Sequence, residues 1–236
     1  MADLTRTDII KIISQPQRID KDYTINFQGL DLRGINLSNL NLKNINFKNA
    51  RLHNADLSGV DFTNANLSGA KLTKASLHRS NLNGANLSNA SLPLSILHGA
   101  NLMNANLTNT SLLSASLNHA NLNNTDLRGA DLRGASLNKA SLRYADLRDV
   151  NLNKTDLSRA DLRNANLSHS SLVNTELGDA NLKGADLRGA ELTDLDLSDL
   201  NLNEVNLSGA RLSGVKLSKN DLDNQKEIKL ANVIAV

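Results

Sequence analysis

From Phe27 to Leu222 every fifth residue is leucine or phenylalanine, 40 consecutive positions of which 37 are leucine. An α-helix turns about 100° per residue, so leucines five apart rotate by about 140° net and form no stripe. A flat strand alternates its side chains with period two, and an odd repeat would send successive leucines to opposite faces. The chain must therefore turn a corner once per repeat so that each leucine points inward again. That describes a solenoid with short sides, and it places the chain among all-β folds.

The residue two before each leucine supports this. It is alanine at 21 of the 40 repeats, and elsewhere mostly Ser, Thr, Val, Ile or Leu. Two inward positions separated by one outward residue fit a short extended segment, and a small inner residue suits a crowded corner. Polar residues flank the leucine, and Gly or Asn is common two after it, as at Gly59, Gly69, Asn64 and Asn164. Those residue types accept the dihedrals of tight turns. The unit is A-(N/D)-L-x-x.

Stretches such as Ala65-Asn66-Leu67-Ser68-Gly69 and Ala130-Asp131-Leu132-Arg133-Gly134 resemble the pentapeptide repeat family over residues 25–224. The resemblance implies a right-handed quadrilateral β-helix with four repeats per coil, hence about ten coils and a rod roughly 48 Å long at the ~4.8 Å strand spacing. Residues 20 apart then stack. The column Asn26, Asn46, Asn66, Asn86, Asn106, Asp126, Asp146, Asn166, Asp186, Asn206 holds nothing but Asn and Asp, as a stacked side-chain ladder would favour.

Three parts are expected. Residues 1–24 form an N-terminal cap, with a short amphipathic helix over 3–14, Thr5 or Thr7 as its N-cap, a turn at Gln15-Pro16, and a lead-in segment around Ile19 and Tyr23. A solenoid end exposes core and unpaired strand edge, so it needs such a cover. Residues 25–224 form the repeat body, with bulky inner residues at Ile25, Leu30, Ile35, Leu40 and Ile45, echoed by Leu195, Leu200 and Val205. Residues 225–236 leave the register as an apolar tail (Leu230, Val233, Ile234, Val236) that covers the last coil or forms a dimer contact; the chain is read as a monomer or weak homodimer.

The sequence argues against an enzyme. It has no cysteine for a disulfide or thiolate metal site, and no phosphate loop, HExxH or nucleophile elbow. His78 and His98 should stack with His119 at the next corner, but no carboxylate completes a metal-binding set; no cofactor, metal or small-molecule substrate is expected. The start of the chain lacks a secretory apolar core and no run is long enough to span a membrane, so a cytoplasmic protein is expected. A net charge of +2 and 2% aromatic residues argue against direct nucleic-acid binding. Arg128, Arg148 and Arg188 form one column and Arg143, Arg163 and Lys183 another, but Asp126, Asp146, Asp186 and Asp161 stand beside them. A mixed-charge, internally paired face is the expectation.

One segment is irregular. In Leu92-Pro93-Leu94-Ser95-Ile96-Leu97 the outward residues become Pro93, Leu94 and Ile96, and Leu113 lies 20 after Pro93. These four should make one exposed apolar patch around a corner, with His78 and His98 beside Ile96. Pro93, lacking an N–H, is expected to interrupt the ladder locally. The functional expectation is a non-catalytic protein-interaction module with a regulatory protein as partner, contacted through Pro93, Leu94, Ile96, Leu113, His78 and His98. The length and insertion-free body are similar to those of family members that regulate heterocyst differentiation in filamentous cyanobacteria, which implies such a role. The alternative, implied by the family's quinolone-resistance members, is a DNA mimic that binds gyrase through late acids such as Glu176, Asp179, Glu191, Asp194, Asp196, Asp199 and Glu204.

Overall fold

The computed structural model describes residues 3–14, 25–218, 229–230 and 234–235. The repeat is explained by where its five backbone N–H groups go. In the pentapeptide around Phe47, Asn46 donates to the Ile25 carbonyl of the preceding coil (3.0 Å), while Phe47 and Asn49 donate to Asn66 and Ser68 of the next (2.7 and 2.9 Å). Ala50 closes a turn on the Phe47 carbonyl (2.9 Å). The fifth donor, Lys48, points at the Asn46 side chain, whose Oδ1 accepts at 3.0 Å. All five are thus satisfied, which answers the requirement for a backbone buried in a ladder. It also explains the Asn or Asp that most often precedes the leucine, which serves as the acceptor of an Asx turn. Asn49 has φ 58°, the positive value that the third residue of a type II turn demands.

Parallel bridges join residues 20 apart, from Asn26↔Asn46 through Asp196↔Lys216. The column read as an Asn/Asp ladder does stack in this register, but its side chains bond chiefly to the backbone two residues on. Continuous amide stacking runs in another column, where Asn101 Nδ2 donates to Asn81 Oδ1 and Asn121 Nδ2 to Asn101 Oδ1, each at 3.1 Å.

Pro93 does not interrupt the ladder. Its carbonyl accepts from Lys74 (3.0 Å), Leu94 donates to Leu113 (2.9 Å), and Leu92 donates to Ser111 (2.7 Å). The residue after the leucine is the one whose N–H serves the Asx turn and not the ladder, so proline loses nothing there.

Inside, the central leucines and inner alanines are almost fully buried. In the first coils Phe27 meets Phe47 at a tilt and Phe47 meets Phe62 edge-on, with centroids 5.3 and 6.0 Å apart. The inner hydroxyls are satisfied: Ser80 Oγ donates to its own turn's Leu77 carbonyl (2.8 Å) and Thr110 Oγ1 to Leu87 one coil back (2.9 Å).

Helix α1 (Arg6–Ser14) is N-capped by Thr5. Asp8 N–H donates to Thr5 Oγ1 and Thr5 N–H to Asp8 Oδ2, a reciprocal capping box. Its Ile9 is fully buried in the core cluster, and Leu4, Ile12 and Ile13, like Ile25, Leu30 and Leu40, are partly buried against it. Arg6 ties it to the first coil through the Asn36 and Ser38 carbonyls (3.0 and 3.1 Å). The expected turn at Gln15-Pro16 and the lead-in segment around Ile19 and Tyr23 lie outside the described residues. At the other end, β1 (Glu191–Thr193), β2 (Arg211–Ser213) and β3 (Lys216–Leu217) continue the ladder. Beyond them β4 (Lys229–Leu230) pairs in parallel with β2 and β5 (Ile234–Ala235) with β3, now 18 residues apart, so the tail lays a further partial turn on the last coil.

The ladder parts once among the described residues. No bridge joins Glu176 to Asp196 or Asn181 to Asn201, although Asp186↔Asn206 follows normally. Gly184 donates to Glu204 (3.1 Å), one residue beyond the acceptor that the repeat would use.

Candidate interaction surface

Leu94, Ile96 and Leu113 are 51%, 47% and 39% exposed, with Pro93 half-buried beside them. Their placement follows from the repeat. Ile96 holds the outward bridge position that is usually Asn, Asp or Ser, paired with Ser76 and Ser116. Leu94 holds the left-handed corner at φ 59°, where a branched apolar side chain is strained and cannot turn inward. Helix α1 reaches the first coil and not this corner. Beside Ile96, His78 and His98 stack with centroids 5.4 Å apart, and His119 meets His98 edge-on at 5.2 Å. Among the described residues no three His, Cys, Asp or Glu side chains are grouped to hold a metal, and no helix is long and apolar enough to cross a membrane.

The charged faces have a simple grammar. Each of the six Asp-Leu-Arg tripeptides closes on itself: Arg33 on Asp31, Arg128 on Asp126, Arg133 on Asp131, Arg148 on Asp146, Arg163 on Asp161 and Arg188 on Asp186, at 2.6–2.7 Å. The contact is side-on, Nε and Nη2 each reaching the carboxylate, a bidentate geometry that holds both partners. The guanidinium of Arg33 draws Asp31 down to about 2. The same hydrogen bonding lowers Asp126, Asp131, Asp161 and Asp186. Arg143 departs from the expectation of pairing. Ser141 stands where the acid stands elsewhere, and Arg143 makes no ion pair among the described residues. That serine was the signal in the sequence.

The late acids sit where the ladder parts. An open cleft of about 460 Å³ there is lined by Asp179, Asn181, Lys183, Asp199 and Glu204 among others. Arg159 pairs with Asp179 (3.4 Å), Lys183 with Glu204 (3.0 Å) and Lys216 with Asp196 (3.1 Å). Lys219, which would follow Asp199 in its column, lies outside the described residues.

The model of the pentapeptide repeat region matches residues 24–102 and 100–177, and that of pentapeptide repeats in eight copies matches 180–218. The chain is a pentapeptide repeat protein. HetL, a pentapeptide repeat protein involved in heterocyst differentiation regulation from the cyanobacterium Nostoc sp. strain PCC 7120, is 32% identical over 90% of this chain and 92% of its own, with a TM-score of 0.60. QnrB1, a plasmid-mediated fluoroquinolone resistance protein, is 20% identical over 87% of this chain and 93% of its own, with a TM-score of 0.38. No curated protein matches significantly. Membership and the likeness to HetL make this pentapeptide repeat protein a right-handed β-helix. Proteins of the family are generally structural or interaction modules.

Proposed function

We propose that this pentapeptide repeat protein is a non-catalytic regulator that acts by protein contact, and that the corner formed by Pro93, Leu94, Ile96 and Leu113, flanked by His78 and His98, meets its partner. One observation carries the reading: three large apolar side chains, 39–51% exposed, sit together at one corner of a rod whose outward positions are mostly polar. Contiguous exposed apolar surface is characteristic of contact sites. By likeness to HetL, the regulated process is heterocyst differentiation, which the protein promotes from the cytoplasm. In this reading residues 25–224 are a rigid display body closed by α1 at one end and by the tail at the other. The gyrase-mimic reading has less support, because Asp179, Asp196 and Glu204 are already engaged by cations of the same chain.

The test is expression of wild type and the Ile96→Asp/Leu113→Asp variant in a heterocyst-forming filament, with affinity capture in parallel. A rise in heterocyst frequency and one specific captured protein, both lost in a variant that melts like wild type, is the expected result. Equal behaviour of the two proteins would remove the corner from the function.

A further inference from the structure

Arg143 differs from its neighbours in a way that points outward. On the two adjoining faces Arg128, Arg148, Arg163 and Arg188 hold their own aspartates and Lys183 holds Glu204. Arg143 has Ser141 instead, and the place of the acid is taken by Asn123 of the preceding coil. Its Oδ1 accepts from Ser141 Oγ (2.7 Å) and from the Arg143 N–H (2.8 Å). The backbone is thus satisfied without a carboxylate, and the guanidinium makes no ion pair among the described residues, acting on Asp161 of the next coil only at longer range. Its Nε is covered and has no hydrogen-bond partner, which destabilises the free protein. The guanidinium carbon lies 5.7 Å from the centroid of Tyr144, a cation–π distance.

Tyr144 is the second independent sign. It is 55% exposed, more than any other large apolar or aromatic side chain among the described residues. It occupies the left-handed corner at φ 58°, the conformation this place in the repeat also takes at Asn124 and Asn164 one coil either side. Tyrosine beside arginine is the pair enriched at the energetic centres of protein interfaces.

We propose that Arg143 and Tyr144 form a second contact, an anchor for a carboxylate in an acidic segment of a partner protein. The carboxylate takes the side-on seat that aspartate takes in the six Asp-Leu-Arg tripeptides, bonding Nε and Nη2 as the guanidinium turns out from Tyr144. The tyrosine ring then packs against the segment's aliphatic stems. A protein carboxylate fits better than a nucleic-acid backbone because the surrounding arginines are already neutralised. A phosphate chain needs a run of free cations, and among the described residues of these two faces Arg143 is the one arginine without an ion pair. With 20 residues per coil, this corner stands half a coil from the Leu94–Ile96 corner, diagonally across the rod. The two contacts therefore engage separately, and the anchor stands or falls without the apolar patch.

The test uses the full-length protein and a fluorescein-labelled peptide of ten glutamates, read by fluorescence anisotropy at low salt. The expected result is binding that weakens about tenfold or more in Arg143→Gln, since a charge-assisted pair is lost. Ser141→Asp is the sharper variant. It keeps the arginine, recreates the Asp-Leu-Arg tripeptide that the fold accommodates six times, and should abolish binding by filling the seat from within. Lys154→Gln, which removes an unpaired cation elsewhere, should leave binding unchanged. In a Tyr23→Phe background, where Tyr144 is the single tyrosine, peptide addition should change tyrosine fluorescence, and adding Ser141→Asp to that background should remove the change. No binding by wild type, or equal binding by wild type and Ser141→Asp, would overturn the proposal. So would a 20-base-pair duplex that binds with the same dependence on Arg143, which would reassign the surface to phosphates.

Discussion

The central coils and the region between Glu176 and Glu204 carry the same leucine register, yet the ladder is continuous in one and parted in the other. Leu157 and Leu162 donate to Glu176 and Asn181 at 2.8 Å. One coil on, Leu177 and Leu182 have no such acceptors among the described residues, and the bridges to Asp196 and Asn201 are missing. The difference lies in the second inward position. Thr175 and Ala180 are followed one coil on by Leu195 and Leu200, and Ala185 by Val205; the two sides that take leucine are the two that open. The first coil has comparable bulk on all four sides, Ile25, Leu30, Ile35 and Leu40, and there Asn26, Asp31, Asn36 and Asn41 all keep their bridges. Bulk on all four sides leaves the bridges in place, whereas leucine on two sides goes with their loss. Leucine spacing sets the register, and the evenness of the inner residues sets whether the register is hydrogen-bonded.

Moving the asymmetry should move the opening. Thr155→Leu with Ala160→Leu places the Leu195/Leu200 pattern two coils earlier. We expect a loss of about 2–6 kcal/mol, taking 1–3 per overpacked site, read by urea unfolding. The reverse exchange, Leu195→Thr with Leu200→Ala, should close the region. Hydrogen exchange on the unaltered protein gives a smaller, local contrast. The amides of Leu177 and Leu182 should exchange at least about tenfold faster than those of Leu157 and Leu162, as unpaired ladder positions do. If the reverse exchange leaves those two amides fast, the acids hold the region open and inner bulk does not.

Much of this molecule could be read from its residues. The leucine period gave the cornered solenoid, the family resemblance implied the register of 20 and the Asn/Asp column supported it, and Asp two before Arg gave the internal ion pairs. Thr5 as N-cap lay within the expected choice. Three things were not legible, each for a physical reason. Pro93 was expected to break the ladder because a spacing cannot say which N–H groups face the next coil; the one at its position does not. Leu195 and Leu200 read as an echo of Ile25 and Leu30 because the effect depends on symmetry around a coil, not on residue type. Arg143 was grouped with its paired neighbours because its distinction is a serine two residues away and an asparagine one coil back. The exposed apolar corner was legible, since its residues occupy outward positions that the repeat itself defines.

The next contrast is between asparagines that serve the ladder and those that merely match the repeat. Asn118 Oδ1 accepts from Ser136 Oγ (2.6 Å) and the Asn138 N–H (2.9 Å). Asn118→Ala leaves both donors without their acceptor and should cost about 1–2 kcal/mol. Asn83 occupies the equivalent place after Leu82, but there the Met103 N–H donates to Asn101 Oδ1 (3.3 Å), and the Asn83 side chain makes no such bond among the described residues. Asn83→Ala should change stability by less than about 0.5 kcal/mol. Equal losses in urea unfolding would mean that asparagine matters through its turn preference and not through these acceptors.

The smallest effect expected is electrostatic and shows only in acid. Asp31 is held at about 2 by Arg33, against an unfolded value near about 3.9. A carboxyl lowered on folding contributes stability above its unfolded value, and that contribution is lost as pH falls toward the folded one. Asp126, Asp131, Asp161 and Asp186 are lowered by the same side-on bond, so the melting temperature should fall between about pH 4 and pH 2. The arginine of each pair is about half-exposed to solvent, so each share is small. The comparison to make is Arg128→Gln/Arg133→Gln against Arg159→Gln/Lys183→Gln. The first pair removes side-on bonds from the continuous coils and should flatten the acid slope. The second removes single contacts at the parting, Arg159 to Asp179 and Lys183 to Glu204, and should leave the slope unchanged. A slope that flattens equally in both would show that general charge balance, not the Asp-Leu-Arg geometry, sets the acid limit of the rod.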